Sequence, residues 1–395
     1  MSTFGSRLAE HKGLGPSFDT VRLALALSVI FIHGKLLRED APEIPSEWLL
    51  PVLPLQRWAF DYFPVPMFFA LSGFLVAASA ERLPLPQFLI NRGLRILPAL
   101  AFQVAFAILI LGPLLTSLPL AEYWSDPLIA RYALNAIGSI HYELPGLFLS
   151  NPQPRIVNGS LWTVPHELFC YVVLGACVLF GLFRHRLVML LLTLALFALA
   201  IVVYLCERAG IALPRHELLN YVFVTRGAAR LIPLFLTGVV LYQYRERIPF
   251  RLSYMLAGAA AYAILAAFGS PSWLANPVFA FLTAPILAYC VVYAGLSTAL
   301  SFAPLKRADY SYGIYLAGFP LQQALIQLMP GLKSPLLFFL LSAVVTAAFA
   351  AISWHLVEKP VMGLRRRFSV AARMHATSAS ATPAPAPRQT LEAAE

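Results

Sequence analysis

From Leu252 to Leu305 the chain contains no Asp, Glu, Lys, Arg or His. Residues 96–116 and 187–206 are equally free of them. At 1.5 Å rise per residue a helix needs about 20 apolar residues to cross a bilayer. Runs of this length and purity are spans, and they constrain everything else in the chain. The composition agrees: 59% of residues are hydrophobic and 12% are charged. That charged share is about half the roughly 25% of a soluble domain. The mean hydropathy is +0.73. A soluble enzyme, a disordered chain and a disulfide scaffold are all excluded.

Uncharged runs predict ten helices, near 18–37, 60–80, 96–116, 162–183, 187–206, 230–244, 252–268, 277–298, 310–329 and 335–355. The turn residues GSPSWLANP divide the longest run. The expected fold is an all-α membrane protein of about ten transmembrane helices. Alternate loops are short and basic, carrying Arg82, then Arg184 and Arg186, then Arg245, Arg247 and Arg251, then Lys306 and Arg307. The N-terminal segment has Arg7 and Lys12, and the C-terminal side has Arg365, Arg366 and Arg367. The intervening loops 38–58, 117–160, 207–229, 269–276 and 330–334 are longer or less basic. The positive-inside rule then puts both termini in the cytoplasm, as an even number of helices requires. Residues 1–17 read as a cytoplasmic leader, 18–361 as the transmembrane domain, and 362–395 as a basic and then disordered tail. The net charge of +10 is topological and does not point to nucleic acid. Cys170, Cys177, Cys206 and Cys290 lie in or beside apolar segments without CxxC spacing, as inert small hydrophobes do. There is no internal repeat, which argues against a two-half transporter.

Ionisable groups inside spans are costly, so each is a functional candidate. The first helix holds Asp19, Arg22 and His33. Arg22 and His33 are 11 residues apart, three turns plus about 20°, which puts both on one face some ~16 Å apart along the axis. Snorkelling of Arg22 to the headgroups is the bland alternative. Arg92 and Arg95 open the third helix in NRGLRILP. Their spacing puts two guanidinium forks side by side, which suits a phosphate-rich ligand or a plain positive-inside anchor. Glu167 stands at the entry of the fourth helix in SLWTVPHELFCY and needs a partner or a proton. The zinc pattern HExxH is not met, because Cys170 occupies the second histidine position. Glu358, at the cytoplasmic end of the last helix, suits pairing with a nearby Arg. Ser72-Gly73 lacks the flanking glycine of a nucleophile elbow, and its glycine suits close packing. Ser311 and Tyr312 suit hydrogen bonds between helices.

Six segments, in order over residues 17–361, resemble the integral-membrane acyltransferase-3 family. They are FDTVRLALALSVIFIHG with Arg22 and His33, FFALSGFLV with Ser72, FLINRGLRILP with Arg92 and Arg95, SLWTVPHELFCY with Trp162, Glu167 and Tyr171, YSYGIYL with Ser311 and Tyr312, and HLVEKP with Glu358. Where members commonly carry Trp-His after the fifth segment, this chain has Ala317-Gly318. It resembles the stand-alone form, without a fused esterase-like domain. The resemblance implies transfer of an acyl group, acetyl first, from cytoplasmic acyl-CoA to a carbohydrate hydroxyl. It also implies a bacterial inner-membrane location. The donor would be a co-substrate, with no permanently bound cofactor and no metal. Within that chemistry, Arg22, Arg92 and Arg95 would hold the phosphates and His33 would act as general base. Glu167 would orient His33 or stabilise its imidazolium, and Ser72, Tyr312 or backbone amides would stabilise the oxyanion. The acceptor would approach through loop 117–160. The alternatives are a transporter or flippase for a lipid-linked sugar, and a structural membrane subunit.

Overall fold

The computed structural model describes residues 2–13, 15–38, 57–211, 213, 228–270, 272–273, 276–302 and 309–363. Most of loop 38–58, most of 207–229, Lys306, Arg307 and the tail with Arg365, Arg366 and Arg367 lie outside them.

Each expected span contains a helix. A short amphipathic helix, α1 (Phe4–Glu10), precedes α2 (Phe18–Leu36). Next come α3 (Arg57–Tyr62), α4 (Pro64–Arg82) and α5 (Leu85–Leu115). The region between the third and fourth spans holds α6 (Leu120–Ser125) and α7 (Pro127–Ala133). The rest are α8 (Val164–Leu179), α9 (Arg186–Arg208), α10 (Ala228–Gln243), α11 (Leu252–Phe268), α12 (Pro277–Leu296), α13 (Ser311–Leu328) and α14 (Pro335–Gly363). Among the described residues there is no strand, only one isolated bridge between Thr3 and Pro249. Six helical stretches are long and apolar enough to cross a membrane: Trp58–Arg82, Leu85–Leu115, Gly159–Leu179, Arg186–Arg208, Pro277–Leu296 and Pro335–Gly363. α2 carries Asp19, Arg22 and Lys35 within one span length, and the apolar parts of α10 and α11 are shorter.

One boundary differs from expectation. The third span starts at Leu85, so Arg92 and Arg95 do not open it but sit about two turns or more inside. Pro86 fits the first turn, where no intrahelical N–H bond is lost. Arg95 is tolerated in the interior because Asp309 and Glu358 pair with it.

The loops sort onto two faces. On one, the N–H groups of Phe4 and Gly5 donate to Ile248 and Arg245 carbonyls at 3.0 and 2.9 Å. Ser17 Oγ donates to the Ser297 carbonyl, and Arg245 reaches Glu81 at 3.3 Å. All the basic loops seen here converge on that face. On the other, Lys35 pairs with Asp61 at 3.1 Å and Trp58 meets Trp273 edge-on. Residues 117–160 are ordered there. Tyr123, wholly buried, donates to the Ile108 carbonyl inside a π turn of α5 (Ala107–Leu111). A π turn leaves carbonyls displaced from the regular ladder, and one finds its donor here. Gln323 in α13 fixes the segment from within, donating to the Gln153 and Ile156 carbonyls and accepting from Asn151, each at 2.8 Å.

The helices α4 and α10 cross at glycines. A β-carbon on Gly73 would run into the Phe235 carbonyl, and one on Gly238 into the Ala70 carbonyl. This is the close approach that small residues permit between membrane helices.

Candidate active site

A cavity of about 150 Å³ lies between α2, α4, α5, α8 and the start of α13. Its walls carry Arg22, Arg92, Arg95, Glu167 and Asp309, set among apolar side chains such as Phe68 and Leu71. Five charged groups in one cavity of an otherwise apolar bundle make this the place to look for chemistry.

At one end the charges are already paired. Asp309 lies two residues before the N-terminus of α13, where the helix dipole favours an anion. Its Oδ2 accepts from Arg22 Nη1 at 2.6 Å and from Arg95 Nη2 at 2.5 Å. Its Oδ1 accepts from Ser311 Oγ at 2.5 Å. Burial by itself raises the Asp309 carboxyl, but Arg95 and Arg22 outweigh it and hold the group well below the usual carboxylate range. Arg22 also contacts Asp19 one turn earlier at 3.3 Å. The other Arg95 nitrogen donates to Glu358 Oε2 at 2.8 Å, and Ser353 Oγ donates to Glu358 Oε1 at 2.9 Å. Glu358 is 2% exposed and closes a second π turn, Trp354–Glu358, which aims the carboxylate back at α5. The Arg95 guanidinium also lies 5.5 Å over the Tyr312 ring.

The three arginines therefore differ. Arg22 and Arg95 are held by carboxylates. Arg92 has a buried Nε without a hydrogen-bond partner and forms no ion pair among the described residues. Among the described residues it is the arginine of the cavity wall that no carboxylate holds. The sequence reading named all three arginines but missed Asp309. The signal was present: an acid stands at the edge of an uncharged span, in a chain whose buried arginines need counter-charges.

Deeper along the cavity, Tyr171 OH donates to Glu167 Oε1 at 2.6 Å, and Ser72 Oγ stands 3.5 Å from Tyr171 OH. The i, i+4 spacing of Glu167 and Tyr171 on α8 brings the two together. Among the described residues no hydrogen bond joins Glu167 to His33. Tyr312 OH is buried without a partner. Thr163 Oγ1 and Tyr315 OH, 2.7 Å apart, line the cavity next to Val65. Trp162 packs edge-on against His166, with ring centres 5.9 Å apart.

His33 sits apart from these groups. The unbroken α2 keeps its ~16 Å axial distance from Arg22. Its ring meets Phe319 of α13 edge-on at 5.2 Å, and Nδ1 is buried without a partner. It is not part of the cavity wall. Among the described residues, no group of three His, Cys, Asp or Glu side chains is placed to hold a metal.

Residues 16–355 match the family described as an acyltransferase domain. The chain is 26% identical over 347 residues to an O-acetyl transferase of Shigella phage Sf6, covering 87% of this chain and 94% of that protein. It is 31% identical over 392 residues to Nodulation protein 10 of Rhizobium leguminosarum bv. viciae, covering 92% of this chain and 99% of the relative. No solved structure matches it.

Proposed function

The chain belongs to the membrane acyltransferase-3 family and is an O-acyltransferase, and from that premise we propose that it moves an acyl group, acetyl first, from cytoplasmic acyl-CoA to a hydroxyl of a carbohydrate or glycoconjugate at or beyond the membrane. The observation that carries the reading is Arg92: a half-buried arginine with a partnerless buried Nε and no ion pair among the described residues, on the wall of a cavity that also holds hydroxyl groups. A thioester donor brings phosphates at one end and a reactive carbonyl at the other. Arg92 is the phosphate contact, with Arg22 and Arg95 beside it on the wall, their forks held by Asp309 and Glu358. The reacting carbonyl lies by Ser72, Tyr171 and Tyr312, where the unpartnered Tyr312 hydroxyl is free to stabilise an oxyanion. His33, farther along α2, is the base for the acceptor hydroxyl. Its partnerless Nδ1 leaves the ring free to exchange a proton. The basic face is cytoplasmic, all ten helices span a bacterial inner membrane, and the ordered 117–160 region faces the acceptor.

The test uses purified protein in nanodiscs supplied with acetyl-CoA, with and without a carbohydrate acceptor. Slow release of free thiol, accelerated by acceptor and lost in His33→Ala on the acceptor-dependent phase, is the expected result. A folded protein that neither binds nor cleaves any acyl-CoA would overturn the reading and favour sugar transport.

A further inference from the structure

The cavity has a shortage of free nucleophiles, and that shortage is informative. Five of the hydroxyl-bearing side chains on its walls are Ser72, Thr163, Tyr171, Ser311 and Tyr312. Ser311 gives its proton to Asp309. Thr163 is hydrogen-bonded to Tyr315, and Tyr171 donates to Glu167. Tyr312 lies under the Arg95 guanidinium. Ser311 also has a carboxylate acceptor, but two arginines already hold that carboxylate; Ser72 is instead the alkyl hydroxyl whose neighbour, Tyr171 OH at 3.5 Å, is anchored at 2.6 Å on Glu167, a carboxylate with no ion pair among the described residues. His33, the other group suited to base chemistry, is not on the cavity wall.

We propose that Ser72 is the acyl carrier of this enzyme, so that transfer proceeds in two steps through an ester on Ser72. The inference rests on the acyl-CoA reading above. In the first step the Ser72 Oγ–carbonyl bond forms and the carbonyl–sulfur bond breaks. The Ser72 proton passes to Tyr171 as the Tyr171 proton passes to Glu167. The departing thiolate takes a proton back along the same path and leaves as the thiol. In the second step the acceptor hydroxyl attacks the Ser72 ester, and Ser72 regains its proton. Dividing the reaction this way separates donor and acceptor in space: the donor needs to reach only Ser72, and the acceptor never has to meet the thioester. The Glu167–Tyr171 pair takes the place that a base and its orienting carboxylate occupy in other acyl-transfer sites.

The test is peptide mass mapping of the full chain in nanodiscs after a short reaction with acetyl-CoA and no acceptor, beside thiol release and acyl-CoA binding. The wild type should carry one acetyl group on the peptide containing Ser72, and adding acceptor should discharge it. Ser72→Ala should bind acyl-CoA as the wild type does yet form no adduct and lose transfer. Ser72→Cys should trap a longer-lived thioester, which a merely structural serine would not do. Tyr171→Phe should slow adduct formation about 10²-fold, the usual share of a positioned proton acceptor. Transfer at the wild-type rate by Ser72→Ala would overturn the inference while leaving the acyl-CoA reading intact. Absence of thiol release from folded wild type would instead remove the reading on which it rests.

Discussion

Arg92 and Arg95 are one helical turn apart and have different surroundings. Arg95→Ala would leave Glu358 buried without its counter-charge and remove one of the two cations on Asp309. Breaking a buried pair from one side costs about 3–5 kcal/mol. Arg95→Ala should therefore unfold earlier in a detergent melt, and Glu358→Gln added to it should restore part of the loss. Arg92→Ala strands no carboxylate ion pair among the described residues. It should melt like the wild type but raise the KM for acyl-CoA about 10- to 100-fold, the equivalent of a charge-assisted bond of ~1.5–3 kcal/mol. An unchanged KM would remove Arg92 from the phosphate site. Asp309 adds a pH prediction. Its folded pKa is depressed, so its stabilisation is complete above the unfolded value of about 3.9 and is lost only as pH falls through the lower folded value. The melting difference between wild type and Asp309→Asn should be constant from pH 8 to pH 5 and shrink only below about pH 4. A difference that already vanishes near pH 6 would contradict the pairing. Arg22, Arg92, Arg95 and Glu167 of the cavity wall were legible in the sequence because a charge in or beside an apolar run stands out. Asp309 stands out less, since its signal lies at a span's edge and its partners are 287 and 214 residues away.

The elements were more legible than their contacts, because apolar runs report a helix wherever the solvent is lipid. One boundary and one loop are instructive. The third span was expected to begin after Arg95, since a charge pair resembles a boundary; tertiary pairing of Arg95 lets the helix start at Leu85 instead. Loop 117–160 has no apolar period, yet it is ordered by side chains such as Asn151 and Gln323 that meet only in three dimensions. The α4–α10 crossing gives a prediction at this scale. A β-carbon on Gly73 meets backbone, which cannot rotate away as a side chain does. Gly73→Val should therefore force the helices apart and cost about 1–3 kcal/mol or more in a detergent melt. Gly181→Ala offers a contrast, because nothing lies within contact of its β-position and any cost comes from its positive φ alone. Equal stability of Gly73→Val and wild type would mean that the crossing is looser than drawn.

Across the whole molecule, function depends on which face meets the cytoplasm. The sequence argues from the count of basic residues, and the structure adds that the loops bearing them lie together. α1 is hydrogen-bonded to the 245–248 turn, Ser17 to the Ser297 carbonyl, and Glu358 at the end of the last span to Arg95. Asp61, Trp273 and the 117–160 region gather at the other end. Arg22, Arg95 and Asp309 lie toward the first face and His33 toward the second, so under the proposed function the orientation of the body sets the direction of acyl movement. Single-cysteine labelling in intact cells reads that orientation. Ser150 and Arg247 are both exposed and stand on opposite faces. Ser150→Cys should react with a membrane-impermeant maleimide in cells whose outer barrier is opened, whereas Arg247→Cys should react only after the inner membrane is permeabilised. Buried Cys170 and Cys177 give little background, and replacing Cys206 and Cys290 removes the remainder. The reverse labelling pattern would put the arginine end of the cavity outside the cell, where acyl-CoA is absent, and a cytoplasmic donor would then be excluded by geometry alone.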